Sequence, residues 1–204
     1  NAQGRVLIGQ ARSAGPEIVE PGRDWQMPQG GIDGEEDIIA AARRELWEET
    51  NVRSVVLLGA TDEWWTYDFP SYDGPWHKLT PFRGQQQRWV AFRFTGDDSE
   101  IDVTRPGNGQ PQEFFAWRWE ALARTPQLVT PFKQATYEKV AIAFARSPGS
   151  VSSPLSAART CPDTPWRWLS SWLLSSPAQL PDCSRSVSNG WPIGPCGTHP
   201  GWPR

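Results

Sequence analysis

Along the first 147 residues, apolar positions switch between strand-like and helix-like spacing. Residues 5–9 (RVLIG) form a short apolar run that predicts a strand, and residues 25–28 (WQMP) predict a second, ended by a Gly-Gly turn. From residue 36 to 50, Ile39, Ala42 and Leu46 recur at helical spacing. Asp33, Glu35, Glu36 and Asp37 crowd the start of this segment, where the helix dipole favours negative charge. Asn51 is suited to end the helix in a left-handed turn. Residues 54–58 (SVVLL) and 87–94 (QRWVAFRF) predict strands. In the second, Val90, Phe92 and Phe94 share one face and Trp89, Ala91 and Arg93 the other, and both faces are expected to be covered. Residues 113–119 (EFFAWRW) predict one more strand. Residues 131–144 (PFKQATYEKVAIAF) predict a helix opened by Pro131, with Phe132, Val140 and Phe144 on one side. This order of elements predicts an α/β (α+β) domain over residues 1–147, with helices flanking a mixed sheet.

Composition changes near Ser147. Of the 23 acidic residues only Asp163 and Asp182 lie beyond it, while half of the 20 prolines do. A stretch rich in Pro and Ser, without apolar periodicity, buries too little surface to offset chain entropy, so residues 148–204 are expected to be a disordered tail. Its five tryptophans, Trp166, Trp168, Trp172, Trp191 and Trp202, fit a small docking patch, and a chain end of frameshift or read-through origin has the same composition. No activity is assigned to it.

Charge and cysteine usage narrow the class further. A net charge of −3 speaks against a generally basic nucleic-acid clamp, so an anionic substrate would need a metal ion or a confined basic patch. No apolar run approaches the roughly 20 residues that cross a bilayer. The three cysteines, Cys161, Cys183 and Cys196, all lie in the last quarter of the chain, which fits a reducing cytosol. The chain starts at Asn1 with no readable leader. A cytoplasmic, monomeric protein is expected, with an organellar address left open by an N-terminus that reads as incomplete.

The segment with most chemical content is residues 30–52, GGIDGEEDIIAAARRELWEETNV. Residues three and four apart share a helix face, so Glu45, Glu48 and Glu49 would form one oxygen-rich cluster. An ordinary solvated face fits that spacing too, since like-charge repulsion there costs only a few tenths of a kcal/mol per pair, roughly. A hard divalent cation changes the balance: Mg²⁺ typically takes one or two carboxylates together with substrate phosphates.

The full frame is Gly30, five residues, Glu36, seven residues, Arg44-Glu45-Leu46, one residue, Glu48-Glu49, one residue, then Asn51-Val52. This resembles the Nudix box, the loop and helix signature of hydrolases acting on nucleoside diphosphates linked to another group. It departs at one position, Asn51, where the family has Gly. Asn is the next-best residue for a positive-φ helix end, so a small stability loss with retained geometry is expected. WQMPQGG, TYDFP, GQQQRW, EIDV, EFFAWRW and PFKQATY extend the resemblance, over residues 1–144, to the subgroup of RNA pyrophosphohydrolases and asymmetric dinucleoside tetraphosphate hydrolases.

The resemblance implies that Glu45, Glu48 and Glu49 hold Mg²⁺ or Mn²⁺, with Glu113 as a ligand from outside the box, and that Glu49 doubles as general base, Glu113 being second choice. Arg44 is expected to pair with a neighbouring carboxylate such as Glu36 and so hold the ligands in place. Gly30 and Gly31 would let the loop take conformations barred to other residues and bring backbone N–H groups close to anions. Tyr67, Phe132 and Tyr137 are candidates to stack on a base, and Arg88 and Lys133 to meet phosphate oxygens. Core aromatics and solvated basic residues are the plain alternative for each. Trp25, Trp89 and Trp117 are assigned to packing, and His77 to a loop without a metal role.

The implied activity is metal-dependent hydrolysis of a phosphoanhydride in triphosphorylated RNA 5′ ends, releasing pyrophosphate, or in dinucleoside polyphosphates such as diadenosine tetraphosphate. The alternative is a catalytically inactive Nudix-like module that binds nucleotide or RNA. It draws on one departure: family members open with a strand carrying a Tyr-Arg-x-Asn-Val-Gly-like run, and this chain starts just after it. The fold is therefore expected without its first strand, with backbone groups left unpaired.

Overall fold

The kink that shapes this domain falls at Arg88 and Trp89, inside the segment predicted as one strand. In a computed structural model, which describes residues 1–17, 19–105, 107–109, 111–145 and 169–170, that segment divides into β5 (Gly84–Gln87) and β6 (Val90–Phe94). Thr61 brackets the break: its backbone N–H donates to the Trp89 carbonyl (2.8 Å), and its hydroxyl accepts from the Trp89 N–H (3.0 Å). The chain bends there because the Trp89 indole turns into the core, edge-on to Tyr137 at 5.3 Å.

Three small sheets result. β1 (Arg5–Ala11) lies between β2 (Trp25–Gln26) and β7 (Phe114–Ala121), antiparallel to both, with Gly9 opposite Gln26 on one side and Trp117 on the other. β3 (Val55–Ala60) pairs antiparallel with β6, Val55 opposite Phe94 and Ala60 opposite Val90. β4 (Trp65–Asp68) pairs antiparallel with β5, Trp65 opposite Gln87. A two-residue β8 (Leu169–Ser170) runs parallel to β5. The mixed α/β class holds, but the expected single sheet is distributed over these three. β6 has only β3 as a partner among the described residues, and an apolar groove of about 220 Å³, lined by Leu7, Met27, Leu46, Val90, Phe92 and Leu122 among others, separates it from β1. Arg93 is exposed, so its face of β6 is covered only in part.

Helix α1 (Ile38–Thr50) begins two residues later than predicted, because Asp37 stands outside it as the N-cap and its carboxylate accepts from the Ile39 N–H at 2.7 Å. Asn51 closes it at φ 62°, its N–H donating to the Trp47 carbonyl at 2.7 Å. The buried face is not the predicted apolar one. Ala41, Glu45, Glu48, Glu49 and Thr50 are the buried residues, while Ala42 and Leu46 are half-buried and line the groove.

After β7, α2 (Thr125–Leu128) and α3 (Gln134–Ala145) close the domain against the cluster of Trp89, Val129, Tyr137 and Val140. The predicted 131–144 helix starts as a 3-10 turn at Pro131–Lys133. Phe132 therefore leaves the face it was expected to share with Val140 and Phe144, and packs on Tyr67 and Phe69 instead. No helix among the described residues is long and apolar enough to cross a membrane. Apart from β8, the predicted tail lies outside the described residues.

Candidate active site

Burial of the carboxylate ladder is the first fact of the site. Glu45, Glu48 and Glu49 are only 3, 5 and 6 % exposed, which rules out the solvated face that their spacing also allowed. Buried carboxylates survive as ions only when paired or hydrogen-bonded. One cation does much of this pairing. The Arg44 guanidinium donates to Glu36 through Nε and a terminal nitrogen (3.2 and 2.9 Å), to Glu45 Oε1 (2.7 Å), to Glu48 Oε2 (3.2 Å) and to the Gly31 carbonyl (2.6 Å). The expected Arg44–Glu36 pair is thus one arm of a wider clamp. Burial opposes the Arg44 charge, but its bonds to Glu36 and Glu45 outweigh that and hold it above its usual range; the same bond holds Glu36 below the carboxylate range.

The Gly30-Gly31 turn meets the helix at Glu45. Gly31 N–H donates to Glu45 Oε1 at 2.8 Å, and the Glu45 carboxyl lies so close over Gly30 that a Cβ there would come within 2.0 Å of its carbon. Neither glycine has a positive φ. Close approach, and not a barred backbone conformation, is what requires glycine at position 30, and the sequence expectation is corrected on that point.

Glu49 is held differently. Its Oε2 accepts the Gln29 N–H at 3.1 Å, while its Oε1 is buried without any hydrogen-bond partner. Glu113, the residue before β7, brings its carboxyl into hydrogen-bond reach of Glu49. Burial first, then the Glu113 charge, pushes Glu49 well above the carboxylate range; burial likewise raises Glu113 and Glu45. Glu113 is exposed as a residue, yet its carboxyl end is buried, and that burial, with a smaller push from the Glu17 charge, outweighs the Glu49 contact that lowers it.

Among the described residues no three His, Cys, Asp or Glu side chains converge closely enough to hold a metal ion by themselves. The donor set still fits a hard divalent cation: an oxygen with no partner on Glu49, a like-charged Glu113 beside it, Glu48 as the preceding residue and Glu45 one helical turn back. An ion that takes one or two carboxylates and completes its shell from water and phosphate needs no closed cage.

The remaining candidates divide. Tyr67 is buried with its hydroxyl bonded to Gln85, and its ring lies 5.6 Å from that of Phe132. Lys133 lies beside this pair, its Nζ 2.8 Å from Glu17, 3.0 Å from the Gln26 side-chain oxygen and 3.4 Å from that of Gln29. Tyr137 is fully buried, its hydroxyl accepting from the Met27 N–H, and it belongs to the core. Arg88 is turned to the Thr61 carbonyl, bonded at 3.0 and 2.7 Å. Trp89 packs in the core, Trp25 lies under Arg118, Trp117 meets Trp119 edge-on, and His77 sits in a loop.

Two participants had no assignment from sequence. Gln29, noted only as part of a motif, orients Glu49 with its backbone and accepts from Gln87 (3.2 Å) and Lys133 with its side chain. Glu17, in an irregular loop, carried no signal.

These features belong to the NUDIX family: its domain pattern matches residues 1–140, and this chain is a member. Among curated proteins the chain is 51 % identical over 144 residues to the RNA pyrophosphohydrolase of Rhodopseudomonas palustris strain BisA53, covering 71 % of this chain and 81 % of that one. It is 50 % identical over 147 residues to the RNA pyrophosphohydrolase of Azorhizobium caulinodans (72 % and 87 % covered), and 51 % identical over 150 residues to that of Bradyrhizobium sp. strain ORS 278 (73 % and 89 %).

Proposed function

We propose that residues 1–147 form a divalent-metal-dependent pyrophosphohydrolase that removes pyrophosphate from triphosphorylated RNA 5′ ends, acting as a cytoplasmic monomer. The observation that carries this reading is the burial of three glutamates with one carboxylate oxygen left unpartnered beside a fourth acid group. A binding module would have no use for so costly an arrangement. The choice of RNA over a dinucleoside polyphosphate rests on the named activity of relatives at about half identity over most of their length.

Glu45, Glu48, Glu49 and Glu113 would hold Mg²⁺ or Mn²⁺, which when bound supplies charge neutralisation for the leaving pyrophosphate and makes water more acidic. The chain's own part is orientation and proton transfer. Arg44 fixes Glu45 and Glu48 from one side, and the Gln29 N–H fixes Oε2 of Glu49, so that Oε1 is the free face able to accept a proton from the attacking water. Phe132, half-buried and backed by the buried Tyr67 ring, offers apolar ring surface for the first base, and Lys133 a cation for phosphate. Tyr137 and Arg88 serve in packing.

The test is pyrophosphate release from a 5′-triphosphorylated oligoribonucleotide with Mg²⁺ or Mn²⁺, compared with hydrolysis of diadenosine tetraphosphate. A higher kcat/KM for the RNA supports the reading; preference for the dinucleotide, or nucleotide binding without turnover of either, overturns it.

A further inference from the structure

The loop after β1 carries a tight turn in which the Ala14 and Glu17 backbones bond each other (3.2 and 3.0 Å). Gly15 at its corner has φ +53°, Pro16 is buried, and the His77 ring sits so close that a Cβ on Gly15 would lie 2.3 Å from Nδ1. So built, the turn delivers the Glu17 carboxylate to the Lys133 ammonium at 2.8 Å, where the Tyr67 hydroxyl also reaches it at 3.5 Å.

Three facts define what this contact does. The Lys133 side chain is only 2 % exposed, and its three donors are committed to Glu17 and to the carbonyl oxygens of Gln26 and Gln29. Glu17 supplies the one ion pair that Lys133 makes among the described residues, and its own side chain remains 22 % exposed. Its charge also bears on Glu113, so Glu17 faces the acid cluster as well as the lysine. An anion therefore reaches Lys133 only by taking Glu17's place, and a polyanion entering with Glu17 still present would meet like charge at close range.

We propose that Glu17 is a placeholder for substrate phosphate on Lys133: an incoming polyphosphate displaces it and opens the Ala14–Glu17 turn, whereas a singly or doubly charged end does not. Resting on the polyphosphate reading of the site, this makes Glu17 a specificity-determining residue that separates the triphosphorylated substrate from the monophosphorylated product. Displacing one carboxylate from an ammonium costs a charge-assisted contact, which several phosphate charges outweigh and one phosphate group does not.

The test uses inorganic tripolyphosphate and inorganic phosphate without divalent ions, on the full chain and its Glu17→Gln variant. Affinity is measured by calorimetry and loop opening by hydrogen exchange at the Glu17 and Val19 amides, which are bonded to the Ala14 carbonyl and the Ser13 hydroxyl. In the unsubstituted chain tripolyphosphate should accelerate exchange at both amides and phosphate should not. The variant should exchange fast without ligand and bind tripolyphosphate roughly 5- to 10-fold more tightly, with a larger relative gain for phosphate. Tripolyphosphate binding with unchanged exchange, or binding weakened by Glu17→Gln, overturns the placeholder and leaves the polyphosphate site standing. Absence of tripolyphosphate binding in both proteins overturns phosphate binding at Lys133 and the placeholder with it, while the metal-dependent site reading stands or falls separately on pyrophosphate release with Mg²⁺. The exchange arm on the unsubstituted chain decides the matter even if the variant folds poorly.

Discussion

Replacing Asn51 with Gly restores the residue that the Nudix box has at this position, and on backbone grounds alone it should stabilise the protein. The structure reverses that sign. Asn51 does occupy the left-handed region at φ 62°, but its side-chain amide donates to the carbonyls of Asp102 (3.0 Å) and Arg105 (2.6 Å), pinning the loop between β6 and β7 to the end of α1. Each such bond contributes roughly 0.5–1.5 kcal/mol, the Arg105 one at the lower end because it is exposed. Relief of the left-handed strain returns at most about 1 kcal/mol, since Asn is among the residues that tolerate it best, while the greater freedom of Gly in the unfolded chain takes away about 0.4–1 kcal/mol. Asn51→Gly should therefore lose about 1 kcal/mol, seen as a lower urea midpoint at constant m and a Tm roughly 2–4 °C lower. Asn51→Ala, which loses both bonds and gains the strain, should lose about 2–3 kcal/mol. Equal or greater stability of the Gly variant would mean that the two side-chain bonds carry no net stability, and would return Asn51 to the status of a tolerated departure.

Gly30→Ala should abolish or strongly reduce activity while leaving the domain folded, because the added Cβ falls within 2.0 Å of the Glu45 carboxyl and must push it off the Gly31 N–H; circular dichroism alongside a turnover assay separates the two effects. Arg44→Ala should destabilise by about 3–5 kcal/mol at the upper limit, less because the guanidinium is partly exposed, since Glu45 and Glu48 lose their shared cation; urea denaturation measures it. Stability should also depend on pH and metal. Glu49, Glu113 and Glu45 have folded values above the ordinary 4.5, so the native state holds protons that the unfolded state has released, and stability falls as pH rises from about 4.5 through the folded values. Glu36, Glu100 and Asp102 are depressed, their contribution is complete above the ordinary range, and it is lost only in acid, so they do not mask the effect. Melting curves of the metal-free protein should thus show Tm falling across this window, with Mn²⁺ restoring more at high pH than at low.

The parts of the site that could be read from sequence are those set by distance along one helix. Three- and four-residue spacing puts Glu45, Glu48 and Glu49 together whatever the rest of the chain does, and Asn51 follows from the conformation its position demands. What spacing could not tell is which way that face points: the apolar residues Ile39, Ala42 and Leu46 suggested a different buried side, and it takes the Arg44 clamp with the Gln29 and Gly31 N–H groups to make burial of the acid side tolerable. Residues distant in sequence were harder. Glu113, expected near the ladder by resemblance, does lie beside Glu49, but Arg88 and Tyr137 were assigned by residue type, and their partners, the Thr61 carbonyl and the Met27 N–H, are set by packing between segments far apart in the chain. The kink at Trp89 was invisible because Gln87 to Phe94 alternates well enough for one strand; burying an indole overrode the local pattern.

The proposed role of the buried glutamates is to bring a divalent cation and a proton acceptor to a polyphosphate. Its most direct measurement is the rate of pyrophosphate release from triphosphorylated RNA with Mg²⁺ for the unsubstituted protein and for Glu49→Gln, a variant of the same shape that keeps an oxygen for the Gln29 N–H. A fall of about 10²- to 10⁴-fold in kcat, with the fold and tripolyphosphate binding retained, is the expected result. Turnover within a few-fold of the unsubstituted protein would contradict it, leaving Glu49 a buried acid with no part in the chemistry.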